Sequence, residues 1–388
     1  MVRRVLVNGL RARSGGGRSI LHNYLELLSE SDCSEMYFIL TPRRSEAEFE
    51  RYVRPGLTLV GMSSLYQPNA FFPLLSWLGF PRLLRRLDID LVFNLGDIPI
   101  PTSRPQVFLF DWAYALYPDS VAWSRMELRS RIGRQVKVAM FRALVRHVDL
   151  IVAQTETARR RLERIHGLDK VVVVPNAVSL DNLDEDVQVR DEPTDERIRL
   201  LYLSHWYPHK NFEVLLPLAR LIRERGLPMV LVITIDPDEH RSARRFLQAV
   251  RRGGLHDAIE NLGSVPMDRV RTVYRSSDAL LMPTLLESFS GCYVEAMYHG
   301  LPIFTSDMDF ARDICGDVAY YFDPLSPISI LETVERAFSD RGEMSRRVRA
   351  GRSRLAAMPG WPAVFAVYQT LIGERLVEAP SRLANRQP

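Results

Sequence analysis

Cysteine is scarce in this chain. Its three residues, Cys33, Cys292 and Cys315, lie far apart among 388, and an odd number without metal-ligand spacing excludes a disulfide framework and a cysteine-based zinc module. A reducing cytoplasm suits such a chain. No apolar run reaches about 18 residues, so no membrane-spanning helix is expected. The opening Met1-Val-Arg-Arg-Val-Leu-Val passes into a strand pattern where a secretory signal would continue as an apolar core, so export by that route is not expected either. GxGxxG and the Gly-Lys-Ser/Thr ending of a P-loop are both missing, which leaves nicotinamide and ATP binding of those types unsupported. One-sided charge is missing as well. A net charge of +4 argues against an extended nucleic-acid surface and leaves local basic patches that can face phosphate or anionic lipid.

An apolar share of 46% and a charged share of 25% are those of a globular protein, and the length suits two domains, each with its own core. Apolar runs at 4–8, 36–40, 57–60, 90–94, 106–110, 148–153 and 171–175 read as strands separated by helical or irregular segments. A second series follows at 199–203, 228–233, 258–261, 279–282 and 301–304. That alternation predicts α/β domains, each a parallel sheet covered on both faces. Between the series, Asp181 to Arg197 is acidic and lacks apolar periodicity. The expected organisation is a first domain over 1–185, a linker over 186–198, a second domain over 199–360, a helix over 361–378 and a tail over 379–388.

Chemistry concentrates in Glu287-Ser-Phe-Ser-Gly-Cys-Tyr-Val-Glu295, which follows the short strand 279–282 and becomes helical near Ser290. A loop entering a helix offers unpaired N–H groups and a positive dipole end, and Ser290 and Gly291 let an anion approach. Two carboxylates beside a phosphate would repel it, so Glu287 and Glu295 suit neutral hydroxyls. A ligand with phosphate and many hydroxyls is a sugar nucleotide. The plainer alternative is a capping box, with Thr284 as cap and Glu287 as its third residue. Lys210, on the loop after the strand 199–203, is placed to reach a phosphate. Gly15-Gly-Gly17 reads as a phosphate-facing loop between strand and helix, or as a plain surface loop. Asp307, Asp309 and Asp313 lack calcium-loop spacing, and no metal is expected.

From Arg199 to Phe322 the chain resembles the nucleotide-binding domain of retaining, group 1 type glycosyltransferases (family 4). The resemblance rests on Glu287 and Glu295 with seven residues between, Pro208-His-Lys-Asn211, Gly300-Leu-Pro-Ile-Phe304 and Cys315-Gly-Asp-Val-Ala-Tyr-Tyr-Phe-Asp-Pro324. It implies the GT-B fold, two Rossmann-like doubly wound parallel-sheet domains facing across a cleft, with the last helix crossing back to the first domain. It also implies that Glu287 meets the donor sugar, Glu295 the ribose and Lys210 the diphosphate, with Phe289, Ser290 and Gly291 at the phosphates. Ser264 would lie in a loop against the base, while Gly16 and Gly17 would lie opposite the donor phosphates. Two positions depart from the family. Phe110-Asp111 stands where His-Asp is common, which leaves Asp111 as the polar group there, and His205 stands where many relatives have Arg.

The resemblance points to a hexosyltransferase that takes its sugar from a nucleoside diphosphate sugar and gives it to a hydroxyl acceptor. It implies no cofactor beyond that donor and no metal at the chemical step. Surface polysaccharide or lipid-linked glycan synthesis is the expected setting, at the inner face of the cell membrane. Two segments are candidates for contact with anionic lipid: 71–86, with bulky apolar residues and a basic end, and 124–147, with seven cations and few acids. Ordinary core-facing helices with solvated basic faces are the competing description. A nucleotide-sugar epimerase of the same fold and a catalytically inactive binding subunit stay open as other functions.

Overall fold

The computed structural model describes residues 2–11, 15–63, 72–177 and 197–384. The chain forms two compact units, one of residues 1–116, 129–179 and 359–388 and one of 117–128 and 180–358. Residues 117–128 thus pack with the second unit although they interrupt the first in sequence. Most of the expected linker lies outside the described residues, and the second sheet begins at Ile198.

The first unit runs β1 (Arg4–Asn8), α1 (Gly15–Glu30), β2 (Met36–Pro42), α2 (Glu46–Phe49), β3 (Leu57–Met62), α3 (Phe72–Arg86), β4 (Leu91–Asn94), β5 (Gln106–Phe110), α4 (Leu128–Val145), β6 (Leu150–Ala153), α5 (Glu156–His166) and β7 (Val171–Val173). Its seven strands are parallel in the order β3-β2-β1-β4-β5-β6-β7. Successive β1 residues serve opposite faces, Val5 and Val7 joining one core cluster and Leu6 the other, as the two-residue period of a strand requires. Helix ends follow local chemistry: Thr155 accepts the Ala158 N–H at the start of α5, and Gly167 at φ 65° closes it, a conformation that glycine adopts without a Cβ clash.

The second unit runs β8 (Ile198–Tyr202), α6 (Leu215–Glu224), β9 (Met229–Ile233), α7 (Arg241–Arg252), β10 (Ile259–Asn261), α8 (Met267–Arg275), β11 (Ala279–Met282), α9 (Gly291–Tyr298), β12 (Ile303–Ser306), α10 (Asp309–Cys315), β13 (Tyr320–Phe322), α11 (Pro327–Ser339) and α12 (Arg341–Ala356). Its six strands are parallel in the order β10-β9-β8-β11-β12-β13. The chain then forms α13 (Trp361–Ala384), which belongs to the first unit. There Trp361, Val364, Tyr368, Ile372 and Leu376, spaced three or four apart, enter the core, and the Tyr368 ring lies 5.3 Å from that of Phe93.

Three sequence expectations change. Gly15 to Gly17 form the first turn of α1, not a loop, so Gly16 and Gly17 are helical residues. The sequence after Lys210 also predicts a helix from Asn211 to Arg225, which begins later: Asn211 is left-handed at φ 58°, residues 212–214 form a single 3-10 turn, and α6 starts at Leu215. The final helix continues past 378 to Ala384. Among the described residues, no single helix is long and apolar enough to cross a membrane.

Candidate functional site

Strand order in the second sheet reverses between β8 and β11, and ligands of open parallel sheets bind beyond the carboxyl ends of strands at such a switch point. The loops after these two strands bring Lys210 and Glu287 together, with Lys210 Nζ 2.5 Å from Glu287 Oε1. The fully buried Asn211 fixes this approach by donating to the Pro283 carbonyl at 2.9 Å and the Pro324 carbonyl at 2.7 Å. Leu285 N–H donates to the His209 carbonyl at 2.8 Å, and Tyr202 O–H donates to the Lys210 carbonyl at 2.7 Å. Burial works against the Lys210 charge, yet adjacent Glu287, joined by Cys292 and Tyr207, offsets it and holds the ammonium above its ordinary range. Thr284 O–H donates to Glu287 Oε1 at 2.9 Å. No helix starts at Thr284, since α9 begins at Gly291, so the capping-box alternative does not describe this loop.

At the start of α9, Ser290 has extended backbone and its side chain makes no capping hydrogen bond. The first amides of the helix are therefore not engaged by a cap and can face an anion. Ser290 is buried, while Phe289 and Gly291 are half-buried. Glu295 lies one helical stretch further on, and its Oε2 accepts Tyr274 O–H at 2.7 Å. Burial raises the Glu295 carboxyl, with the tyrosine bond pulling the other way. Tyr274 in turn stacks on His299 at 5.1 Å, so the carboxylate is braced by two rings.

His205, in the loop after β8, is held by Glu239 through Nδ1. Glu239 also accepts the Trp206 N–H at 3.1 Å. His209 instead stacks on Tyr207 at 5.4 Å. Ser264 is exposed beyond the edge strand β10.

In the first unit, Asp111 follows β5 within a polar cluster. Arg11 Nε lies 3.7 Å from Asp97 Oδ2, Lys137 of α4 pairs with the same carboxylate, and the Lys137 ammonium sits 4.0 Å over the Trp112 ring. Burial first, then neighbouring Asp97, pushes Asp111 up to about 7, with Lys137 and Arg11 opposing. Lys137 is therefore directed into this cluster and is not part of an outward basic face. Phe110 is packed against Phe141 at 5.4 Å. Gly16 and Gly17 lie in the first turn of α1 in this same unit.

Glu239, Tyr274 and Arg11 were not singled out by sequence. Tyr274 lies within α8 and Glu239 in the loop between β9 and α7, and neither has a spacing in sequence that marks it. Among the described residues, no group of three or more His, Cys, Asp or Glu is arranged to hold a metal ion.

A family model described as glycosyl transferases group 1 matches residues 184–354, and one described as glycosyltransferase family 4 matches residues 14–182. A 2-deoxystreptamine glucosyltransferase of Streptomyces kanamyceticus is 26% identical over 247 residues, covering 60% of this chain and 62% of that protein. The chain thus spans less than two thirds of that relative's length. Among solved structures, sucrose-phosphate synthase of Thermosynechococcus elongatus has a TM-score of 0.75 at 14% identity, covering 96% of this chain and 98% of its own. Anabaena Alr3699/HepE in complex with UDP-glucose has a TM-score of 0.68 at 12% identity, covering 95% and 99%. The two family matches together run from residue 14 to residue 354, and the chain belongs to the group 1, family 4 glycosyltransferases with the GT-B fold.

Proposed function

We propose that the chain moves a hexose-type residue from a nucleoside diphosphate sugar to a hydroxyl acceptor, with retention at the anomeric carbon. The observation that carries this is the Lys210–Glu287 pair at the switch point, beside the uncapped start of α9. In this proposal the donor separates the pair. The diphosphate takes the Lys210 ammonium and the α9 amides, and the released Glu287 carboxylate accepts sugar hydroxyls. Glu295, braced by Tyr274, accepts from the ribose. His205 adds a donor to the diphosphate, and Asp111 holds a hydroxyl of acceptor or donor.

The chemistry is then electrostatic and positional. The bond between the anomeric carbon and the diphosphate oxygen breaks, the acceptor oxygen bonds to that carbon on the same face, and the departing diphosphate takes the acceptor proton. Lys210 and the α9 amides stabilise charge growing on the leaving group, each well-placed donor contributing about 3–4 kcal/mol. These groups supply the positive charge without a metal. That the similar Alr3699/HepE structure contains UDP-glucose supports a nucleotide-sugar donor of this kind. The proposed setting is the cytoplasmic face of a membrane, in surface polysaccharide or lipid-linked glycan synthesis.

Glu287→Ala is expected to lose transfer by roughly 100-fold or more while unfolding as cooperatively as the parent. Wild-type turnover in the variant at both saturating and limiting donor would refute the assignment. Incubation with nucleotide sugars and no acceptor separates transfer from epimerisation, since only an epimerase yields an isomerised donor.

A further inference from the structure

The parallel neighbours β8 and β9 end in loops that meet beyond their carboxyl ends. Ser204 N–H donates to Thr234 Oγ1 at 3.0 Å, and the buried Trp206 stacks on Phe212 at 5.1 Å. His205 is thereby fixed between two anchored residues, with 48% of its side chain exposed. Its Nδ1 meets Glu239 Oε1, and the other oxygen of that carboxylate accepts the Trp206 N–H at 3.1 Å. Nε2 makes no hydrogen bond among the described residues.

Other charged or titratable groups of these loops are engaged elsewhere. Lys210 pairs with Glu287, His209 lies on the Tyr207 ring, and Asp238 pairs with Arg244 at 2.7 Å. Asp236 Oδ1 accepts the Asp238 N–H at 2.8 Å, and His240 Nδ1 accepts the Ser242 N–H at 3.1 Å. Glu239 is therefore the group that sets the state of the His205 ring.

A carboxylate only accepts hydrogen bonds, so the imidazole nitrogen facing it carries a proton. A neutral imidazole has a single N–H, and here Nδ1 holds it. Nε2 then presents a lone pair, which cannot bond a phosphate oxygen that is itself only an acceptor. The imidazolium, with N–H at both nitrogens, can. We infer that Glu239 is a positioning residue that locks the ring in this tautomer, so that His205 holds the diphosphate only as imidazolium and donor binding by the neutral ring takes up a proton from water. An arginine in place of His205 would bind without that condition. The inference rests on the proposed donor reading and adds a dependence on pH to it.

Calorimetry with UDP-glucose, GDP-glucose and ADP-glucose in buffers of different ionisation enthalpy reads the proton uptake. Each carries a diphosphate esterified at both ends, whose own charge is constant where histidine titrates, about pH 5 to about pH 8. Affinity for the sugar nucleotide that binds should fall by up to about tenfold per pH unit at the upper end of that range, with one proton taken up. Glu239→Gln keeps a carbonyl for the Trp206 N–H and turns an amide N–H to Nδ1, which moves the proton of the neutral ring to Nε2. Its affinity should change by less than about twofold over the same range, and His205→Arg should be as flat. In the ligand-free protein, ring-nitrogen NMR should show neutral His205 protonated at Nδ1 in the wild type and at Nε2 in Glu239→Gln, the signals being assigned by their loss in His205→Asn. Binding without proton uptake, equal pH dependence in Glu239→Gln, or a neutral wild-type ring protonated at Nε2 would each overturn the inference and leave the donor reading standing. No binding by any of the three sugar nucleotides would overturn that reading and the coupling with it.

Discussion

Lys210 and Glu287 expose only 13% and 9% of their side chains, so each is the other's main compensation for leaving water. A ligand that separates them must bring charge for the lysine and hydroxyls for the acid. Asp111 presents a different electrostatic problem, since burial raises its carboxyl from the ordinary 3.8 to about 7. An acid whose folded-state value lies above its unfolded one holds its proton more tightly when folded. Its contribution to stability is full below about pH 4 and is lost as pH rises through about 7. Unfolding free energy of the wild type should therefore fall over that window relative to Asp111→Asn, by no more than ~4 kcal/mol. Urea titrations of both proteins at a series of pH values check this, and parallel profiles would contradict it.

Asn211 joins three loops of the second unit, and its side chain reaches Pro283, 72 residues away in sequence, and Pro324. Asn211→Ala is expected to cost about 2–4 kcal/mol, from two lost buried hydrogen bonds and a left-handed backbone. Asn211→Gly should recover ~1 kcal/mol of that, because it relieves the backbone and leaves the bonds missing. Denaturant midpoints distinguish the two. Strands such as β1, β5 and β11 were legible in sequence because residues buried on both faces leave continuous apolar runs. The start of α1 was not, since Gly15 to Gly17 are poor helix formers, held helical by the amphipathic turns C-terminal to them. Lys210, Glu287 and Glu295 were legible through the family pattern. Glu239 and Tyr274 were not, because their effect depends on distant partners, His205 and Glu295, and such pairing leaves no local trace.

The chain passes between its two units four times, at 116/117, 128/129, 179/180 and 358/359, so neither unit is a continuous piece of sequence. The first sheet is completed by α13, whose Trp361, Val364, Tyr368, Ile372 and Leu376 are buried in its core. Burying such side chains contributes about 1.5–3 kcal/mol each, and five together rival the roughly 5–15 kcal/mol that holds a whole domain folded. Deleting α13 should therefore abolish cooperative unfolding of the first unit and expose it to limited proteolysis. The central claim, that Lys210 and the start of α9 hold a nucleoside diphosphate, is tested most directly by thermal unfolding with UDP, GDP and ADP. At ligand near 100 times its dissociation constant, a binding nucleotide adds about 2.7 kcal/mol. At least one of the three should raise the wild-type midpoint and leave that of Lys210→Ala nearly unmoved, whereas an equal rise in both proteins, or none with any nucleotide, would contradict the account.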